Sequence, residues 1–328
     1  MNYNEQALLE VRGLRVVHGA GKRASERVIA VDDVSLSVFP GEWVGLVGES
    51  GCGKSSVAQA LTGQVPPAAG SVTWRGEDVT GVLGSRKTRR RMQMIFQDVS
   101  GALNPRLTIA EAISEVLSVH RLAPGAGGIK QRVAELLQLV GLPVSAGHRY
   151  PHEFSGGQRQ RISIARALAV EPELLIADEP VSALDVSVQV QIIDVLRSLR
   201  ERRGLAGLLI AHDLAVVGSL CARVYVMYLG RIMEWGPVER VLYAPRHPYT
   251  RALLAAVPDV ERGLERRRAS RPRELLEGDV PSRWQAMCGC PFQGRCPLVK
   301  DVCRNKVPDF VLMEGGIRGS ACWFAEES

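Results

Sequence analysis

Residues 43–55 read WVGLVGESGCGKS, a short apolar strand that runs directly into a glycine-rich loop. The loop matches the pattern G-x-x-x-x-G-K-S/T and is followed by the helix pattern SSVAQALTG. Glycines let backbone N–H groups turn toward phosphate oxygens, the start of the helix adds partial positive charge, and Lys54 adds a full one. The stretch therefore predicts a P-loop α/β domain that binds a nucleoside triphosphate, with Ser55 on Mg²⁺. The predicted phosphate-binding residues are Gly48, Glu49, Ser50, Gly51, Cys52, Gly53, Lys54, Ser55 and Ser56.

Strand and helix patterns alternate along the first three quarters of the chain. The strand patterns are ALLEVRGLRVV, VIAVDDVSLSV, ELLIADEP, LAGLLIAHD and VYVMYLG. Helix patterns between the last three of these strands predict a largely parallel sheet. Helical spacing from Leu107 to Leu142, interrupted by the flexible linker APGAGG, predicts a helical subdomain at about 98–170. After Pro245 the composition shifts to Pro, Arg and Cys, so we divide the chain into 1–245 and a small Cys-rich module at 246–328.

Composition excludes several classes of protein. With 46% hydrophobic residues in 328, the chain can bury a core and does not read as disordered. Its apolar runs fall short of the roughly 18 residues of a membrane-spanning helix, and its amino end lacks a signal-peptide pattern, so we expect a cytoplasmic protein. The net charge of +6 is concentrated in the runs RKTRRR, RERR and ERRRASRPR. Such runs form solvated surface or bind anionic partners.

Two further stretches carry chemistry. LLIADE, from Leu174 to Glu179, is an apolar strand that ends in two acids. Asp178 is placed to hold the Mg²⁺ shell, and Glu179 to orient or deprotonate the attacking water. FSGGQRQRISIARAL places Ser155 and two glycines before a helix, which is typical of an anion site or of an N-capped helix start.

These motifs and their order resemble the ATP-binding cassette (ABC) family over roughly residues 8–245. Ser-Gly-Gly-Gln at 155–158 is similar to its signature, Gln97 in MIFQD to its Q-loop, SALD at 182–185 to its D-loop, and His212 in IAHDL to its switch histidine. The resemblance implies an ATPase in which two cassettes, head to tail, sandwich two ATP molecules. An isolated subunit is then a poor ATPase.

The resemblance also implies a role for each matched residue. Glu179 and His212 would be catalytic. Ser55, Gln97 and Asp178 would hold Mg²⁺, and His18 is the candidate for stacking on adenine. The signature residues would complete the ATP site of the partner cassette, from across the interface, and Asp185 would also bind ATP. The signature residues are Ser155, Gly156, Gly157 and Gln158.

The phrases MQMIFQDVSGALNPRLTI, DEPVSALDVSVQVQI and RHPYTRALLAAVP resemble the dipeptide and oligopeptide importer branch, in particular its F-type subunit. That resemblance implies a second, D-type ATPase, two transmembrane permease subunits, an extracytoplasmic substrate-binding protein and a place on the cytoplasmic face of the membrane. No nucleic acid partner is expected. A soluble ABC ATPase acting on DNA or ribosomes, an exporter ATPase, and an importer of nickel chelates or another small solute are the alternatives.

Four of the seven cysteines, Cys290, Cys296, Cys303 and Cys322, follow one another at the end of the chain with prolines and glycines between them. In a reducing compartment such a cluster indicates a metal centre, and spacing alone leaves zinc and an iron–sulfur cluster open. The stretch CPFQGRCP resembles a carboxy-terminal motif of peptide-importer ATPases, which implies a 4Fe–4S cluster. Cys288 is an additional thiol outside that motif.

Overall fold

The computed structural model describes residues 6–19, 27–123, 125–182, 184–256 and 288–325. The strands are β1 (Leu9–His18), β2 (Val28–Val38), β3 (Trp43–Val47), β4 (Ala69–Trp74), β5 (Glu77–Asp78), β6 (Met92–Ile95), β7 (Leu174–Asp178), β8 (Ala206–Ala211), β9 (Arg223–Tyr228), β10 (Arg231–Pro237), β11 (Val311–Met313) and β12 (Arg318–Ser320). The helices are α1 (Lys54–Leu61), α2 (Arg86–Arg91), α3 (Val99–Ala102), α4 (Ile109–His120), α5 (Gly125–Leu139), α6 (Gly156–Leu168), α7 (Val186–Arg203), α8 (Leu214–Leu220), α9 (Val238–Tyr243), α10 (Pro248–Ala256) and α11 (Asp301–Asn305). Short 3-10 turns lie at Thr80–Val82, Val144–His148, Pro151–Glu153 and Glu314–Gly316.

The described strands form a main sheet of eight strands, in the order β11-β12-β10-β9-β3-β8-β7-β6. The five strands from β9 to β6 run parallel, as predicted. Strands β3, β7 and β8 are buried along their whole length. Their side chains pack into apolar cores on both faces of the sheet, which is why these strands read as continuous apolar runs.

The described strands also form a four-stranded antiparallel sheet, in the order β2-β1-β4-β5. The sequence predicted β1 and β2 as strands without naming their partners, and the structure pairs the two strands antiparallel. Side chains from the inner face of this small sheet, among them Leu14 and Val34, join Leu46 and Ile210 of the main sheet in one apolar core. A strand pattern shows which face is apolar but does not specify the partner strand.

The helical subdomain lies between β6 and β7. Helix α4 begins at a capping box, in which Thr108 and Glu111 bond each other's backbone N–H. Helix α5 begins at Gly125, so the glycines predicted as a flexible linker are helical, and that prediction was wrong. Burial of Leu136 and Leu137 stabilises α5 by tertiary packing, which outweighs the low helix propensity of its first turn.

Residues of the predicted carboxy-terminal module continue the main sheet as strands β11 and β12. Strand β12 pairs antiparallel with β10. Beneath this pairing, Arg318 donates to Glu234 at 2.9 Å, and the two side chains are 1% and 0% exposed. Glu234 also accepts the backbone N–H groups of Arg246 and His247 at 2.8 and 2.9 Å, so it holds the start of the His-Pro-Tyr segment.

Within the described ranges, no helix is long and apolar enough to cross a membrane. The basic run at 265–273 lies outside the described residues.

Candidate functional site

The site residues follow the carboxyl ends of four parallel strands. The phosphate loop starts directly after β3, Gln97 lies just beyond β6, Asp178 ends β7, and His212 comes directly after β8. Carboxyl ends of parallel strands meet at one edge of a sheet, which is where open α/β sheets bind their ligands. The topology therefore gathers motifs that lie far apart along the chain.

The phosphate loop needs its glycines for steric reasons. Gly53 has a φ of 115°, and a Cβ there would lie 2.2 Å from the carbonyl oxygen of Ala30. At Gly48 a Cβ would lie 2.1 Å from the carbonyl oxygen of Met227. Lys54 is only 4% exposed, and its Nζ donates to the carbonyls of Gly48 at 2.8 Å and Glu49 at 3.1 Å. The ammonium group thus lies inside the loop, where it can exchange these carbonyls for phosphate oxygens.

The carboxylate of Glu179 contacts two other predicted site residues, Gln97 and His212. Gln97 Nε2 donates to Glu179 Oε2 at 3.0 Å, and His212 Nδ1 lies 3.5 Å from the same oxygen. Glu179 has a φ of 45°, a left-handed conformation that non-glycine residues rarely adopt and that often occurs at functional sites. The structure therefore brings Gln97, Glu179 and His212 into one cluster.

Asp178 and Ser55 form the neighbouring pair. Ser55 Oγ donates to Asp178 Oδ1 at 3.2 Å, and Asp178 is 4% exposed. Burial raises the pKa of Asp178, the Ser55 hydroxyl lowers it, Glu179 raises it and Lys54 lowers it. A desolvated carboxylate beside a hydroxyl suits a hard cation.

The signature residues begin helix α6. Ser155 Oγ accepts the N–H of Gln158 at 3.4 Å, and Gln158 Oε1 accepts the N–H of Ser155 at 3.1 Å, so these two residues form a capping box. A Cβ on Gly157 would lie 2.2 Å from Cγ1 of Val188 in α7, so only glycine fits there. Ser155 and Gln158 are exposed and Gly156 is half-buried. Asp185, also exposed, is the N-cap of α7; Ala183 of the predicted D-loop lies outside the described residues.

His18 lies at the end of β1, next to the helix that follows the phosphate loop. Its Nε2 is 2.8 Å from Ser56 Oγ. The imidazole is therefore attached to α1 and half-buried, beside the loop.

The structure adds two residues that the sequence analysis did not single out. Tyr249 Oη accepts the backbone N–H of Glu49 at 2.9 Å, and Arg295 pairs with the Glu49 carboxylate at 2.8 and 3.1 Å. In the sequence, Tyr249 is part of the His-Pro-Tyr segment and Arg295 lies between two cysteines. Neither position indicates a contact with the phosphate loop.

Four of the cysteines, Cys290, Cys296, Cys303 and Cys322, lie close enough for their charges to interact. Cys290 and Cys303 are buried, Cys296 and Cys322 are half-buried, and Cys288 is exposed. Burial raises the pKa of Cys290 to about 11, and the other three buried or half-buried thiols raise it as well. In the part of the chain that the structure describes, no three His, Cys, Asp or Glu side chains are arranged so that they could hold a metal ion.

Comparison with known proteins identifies the family. Residues 31–182 match the ABC transporter family model, and residues 233–303 match that of the oligopeptide/dipeptide transporter C-terminal region. The oligopeptide transport ATP-binding protein OppF of Salmonella typhimurium is 47% identical over 88% of this chain and 85% of its own. The chain belongs to the ABC transporter family. A putative peptide import ATP-binding protein of Brucella ovis is 46% identical over 93% of this chain and 94% of its own.

Solved structures agree with this membership. A dimeric ATP-binding cassette in a post-hydrolysis state, bound to ADP and Pi, superposes with a TM-score of 0.63 at 26% identity, over 70% of this chain and 98% of that one. CbiO1 of Clostridium perfringens, part of an ABC transporter complex, gives a TM-score of 0.64 at 25% identity over 73% and 92%. This ABC subunit is an ATPase with a P-loop nucleotide-binding domain, of the oligopeptide/dipeptide importer type.

Proposed function

We propose that this ABC subunit binds ATP at the carboxyl edge of its main sheet and uses the hydrolysis of ATP to drive peptide uptake through a membrane importer. The cluster of Gln97, Glu179 and His212 beside the phosphate loop carries the proposal. The names of the relatives and the His-Pro-Tyr segment support import of dipeptides or oligopeptides over export. They likewise favour transport over the alternative of a soluble ATPase acting on nucleic acid or ribosomes.

Each residue has a role that follows from its position. Lys54 exchanges its loop carbonyls for the β- and γ-phosphate oxygens. Ser55, Asp178 and Gln97 provide the oxygen ligands that Mg²⁺ prefers, and the bound ion would neutralise charge on the phosphates. Glu179 accepts the proton of the attacking water, while His212 and Gln97 hold its carboxylate in place.

The second half of each ATP site comes from another cassette. Ser155, Gln158 and Asp185 are exposed, and Val186 and Val190 on the adjoining helix α7 are 76% and 56% exposed. Exposed signature residues next to exposed apolar side chains suit an interface between two cassettes. We propose that this chain is the F-type member and that a different, D-type ATPase is its partner. Two permease subunits and an extracytoplasmic binding protein would complete the complex, which places the chain at the cytoplasmic face of the membrane.

We further propose a 4Fe–4S cluster, with zinc as the alternative, on Cys290, Cys296, Cys303 and Cys322. Three of these thiols accept a hydrogen bond from the backbone N–H two residues later, an arrangement that stabilises thiolate charge. The pairs are Cys290 with Phe292, Cys296 with Leu298 and Cys322 with Phe324. Four soft thiolates are the donor set of both centres. The cluster would fold a segment that has little apolar core of its own.

Reconstitution tests the transport function. The chain is assembled with its D-type ATPase and permease subunits in proteoliposomes, and uptake of labelled peptides is measured with ATP and binding protein present. ATP-dependent peptide uptake that fails with Lys54→Met supports the proposal. ATP hydrolysis stimulated by DNA or ribosomes, with no stimulation by peptide-loaded binding protein, would contradict it.

Metal analysis of anaerobically purified protein tests the cluster. About four irons and four sulfides per chain, lost in Cys296→Ser but kept in Cys288→Ser, are expected. One zinc and no iron per chain would rule out the cluster and support the zinc site instead. If the protein contains neither iron nor zinc, both the cluster and the zinc site are refuted.

A further inference from the structure

Glu49 of the phosphate loop is held by two side chains from the module at 246–328. Tyr249 Oη accepts its backbone N–H at 2.9 Å. The guanidinium of Arg295 pairs with both carboxylate oxygens, Nη1 with Oε2 at 2.8 Å and Nη2 with Oε1 at 3.1 Å. The carbonyl of Glu49 in turn accepts Nζ of Lys54 at 3.1 Å. One loop residue thus connects the module to the lysine that meets the phosphates.

The pair of Arg295 and Glu49 is not an ordinary surface ion pair. The two side chains are 8% and 22% exposed, and the pairing is bidentate. The guanidinium carbon lies 5.9 Å from the ring centroid of Tyr228, whose hydroxyl is 3.5 Å from Nη1. Bidentate, partly desolvated arginine pairs have fixed geometry and are stronger than exposed ones.

Aromatic packing holds Arg295 in this position. The ring of Phe292, which is fully buried, lies 5.4 Å from the rings of both Tyr228 and Tyr249, centroid to centroid. Phe292 and Arg295 both lie between Cys290 and Cys296 in the sequence. Folding of this short cysteine segment therefore sets the position of the guanidinium.

The charge of Glu49 gives the pairing a consequence for ATP. The loop presents backbone N–H groups to a triphosphate, and an uncompensated carboxylate in the loop would repel that triphosphate. We propose that Arg295 is a positioning residue for ATP binding. It cancels the charge of Glu49 and, together with Tyr249, fixes the position of Glu49 in the loop, so that nucleotide affinity depends on the folded cysteine segment.

This inference rests on the ATP site proposed above. It gives the cysteine segment, residues 288–303, a role in ATP binding, because unfolding of these residues would remove Arg295 from the phosphate loop. Loss of the segment's fold would then lower ATP affinity without any change to the residues that touch the phosphates.

A double-mutant experiment on the full chain, in which the two charges are removed singly and together, tests the inference. The dissociation constant of Mg-ATP is measured for the wild type, Arg295→Met, Arg295→Lys, Glu49→Gln and the double variant Glu49→Gln/Arg295→Met. We expect Arg295→Met to weaken binding about tenfold or more, Arg295→Lys to keep most of the affinity, and the double variant to regain most of it, since no charge then needs cancelling. A purely structural role predicts no such recovery.

Matched controls separate the possible failures. Arg304→Met removes an exposed arginine that directly follows this segment, in helix α11, and should leave ATP affinity unchanged. Lys54→Met should abolish binding. Normal ATP binding by Lys54→Met would refute the proposed site itself, whereas normal binding by Arg295→Met alone, or a double variant as weak as Arg295→Met, would overturn only this inference. Thermal unfolding of each variant checks that it is folded.

Discussion

At the scale of single residues, two neighbouring side chains and a constrained backbone fix the Glu179 carboxylate. Gln97 and His212 approach the same oxygen, at 3.0 and 3.5 Å, and the backbone of Glu179 holds a left-handed φ of 45°. Such backbone strain persists only where the surrounding structure imposes it. The arrangement leaves the carboxylate little freedom to change its orientation.

Glu179→Gln should leave ATP binding within about twofold of wild type and lower hydrolysis by about 10²- to 10³-fold, because the amide cannot accept the proton of water. The measurement is phosphate release by the assembled pair of ATPases. Glu173, at the opposite end of the same strand and paired with Arg75, supplies the control, since Glu173→Gln should hydrolyse ATP normally. Hydrolysis above a tenth of wild type in Glu179→Gln would assign the base elsewhere.

His247 should make stability depend on pH. Burial lowers its pKa from 6.5 to about 3, while the backbone of Ala321 raises it slightly. Between these values the unfolded chain binds a proton that the folded chain does not. The stabilisation is therefore complete above pH 6.5 and is lost as pH falls, by about 1.4 kcal/mol per pH unit.

Urea unfolding between pH 7 and pH 5 measures this loss. His247→Gln removes the titrating group and should flatten that part of the profile, even if the variant is less stable throughout. An unchanged slope in His247→Gln would show that another group is responsible.

At the scale of elements, the signature turn has a structural task as well as the proposed ATP contact. Ser155 caps α6 in the same way that Thr108 caps α4, each in a capping box. The two turns differ in that only the first belongs to the signature. This difference allows the two tasks of Ser155 to be separated.

Ser155→Ala and Thr108→Ala should each cost about 1 kcal/mol of stability, because each leaves a backbone N–H of the first helical turn without its partner. Only Ser155→Ala should also lower ATP hydrolysis by the assembled pair. Denaturant unfolding and phosphate release measure the two effects. An equal loss of hydrolysis in both variants would mean that Ser155 acts through helix stability alone.

A buried ion pair joins β9 to the turn before β3. Arg223 donates to Glu42 at 2.6 and 2.8 Å, and each side chain is 4% exposed. Glu42→Ala should lower the free energy of unfolding by about 3–5 kcal/mol, since it leaves a buried guanidinium without the carboxylate that balances its charge. Glu10→Ala, which breaks the exposed pair with Arg12, should cost under about 1 kcal/mol. Equal losses in the two variants would contradict this account.

At the scale of the whole molecule, the residues of the proposed ATP site belong to two different parts of the fold. Lys54, Glu179 and His212 line the carboxyl edge of the sheet, whereas Ser155 and Gln158 start a helix of the helical subdomain. Under the proposed head-to-tail pairing, each chain completes the site of the other. Hydrolysis then requires association.

The isolated chain should therefore hydrolyse ATP slowly, with a rate per chain that rises with protein concentration. Addition of the D-type ATPase should raise that rate further, and Ser155→Ala in this chain should cancel much of the gain. Phosphate release over a range of concentrations is the measurement. A rate per chain that does not depend on concentration or partner would refute the shared site.

Local patterns were sufficient to predict much of the fold and of the site. Strand β2, at Val28–Val38, has the predicted bounds, and the phosphate loop lies between the predicted strand and helix. Gln97, Glu179 and His212 were named from motifs, and the structure brings them together. These features depend on short-range properties, namely apolar periodicity, glycine geometry and charge at strand ends, which the order of residues encodes directly.

Other features depended on contacts between distant parts of the chain. The antiparallel pairing of β1 with β2, the helical start of α5, and the pairing of β12 with β10 were not predicted. Arg295 and Glu49 are 246 residues apart, and nothing local to either one indicates the other. Short motifs were enough to identify the ATPase chemistry, because a motif specifies which groups are present. The contact of Arg295 and Tyr249 with the phosphate loop exists only in the folded chain, because strand pairing and burial select partners across the whole sequence.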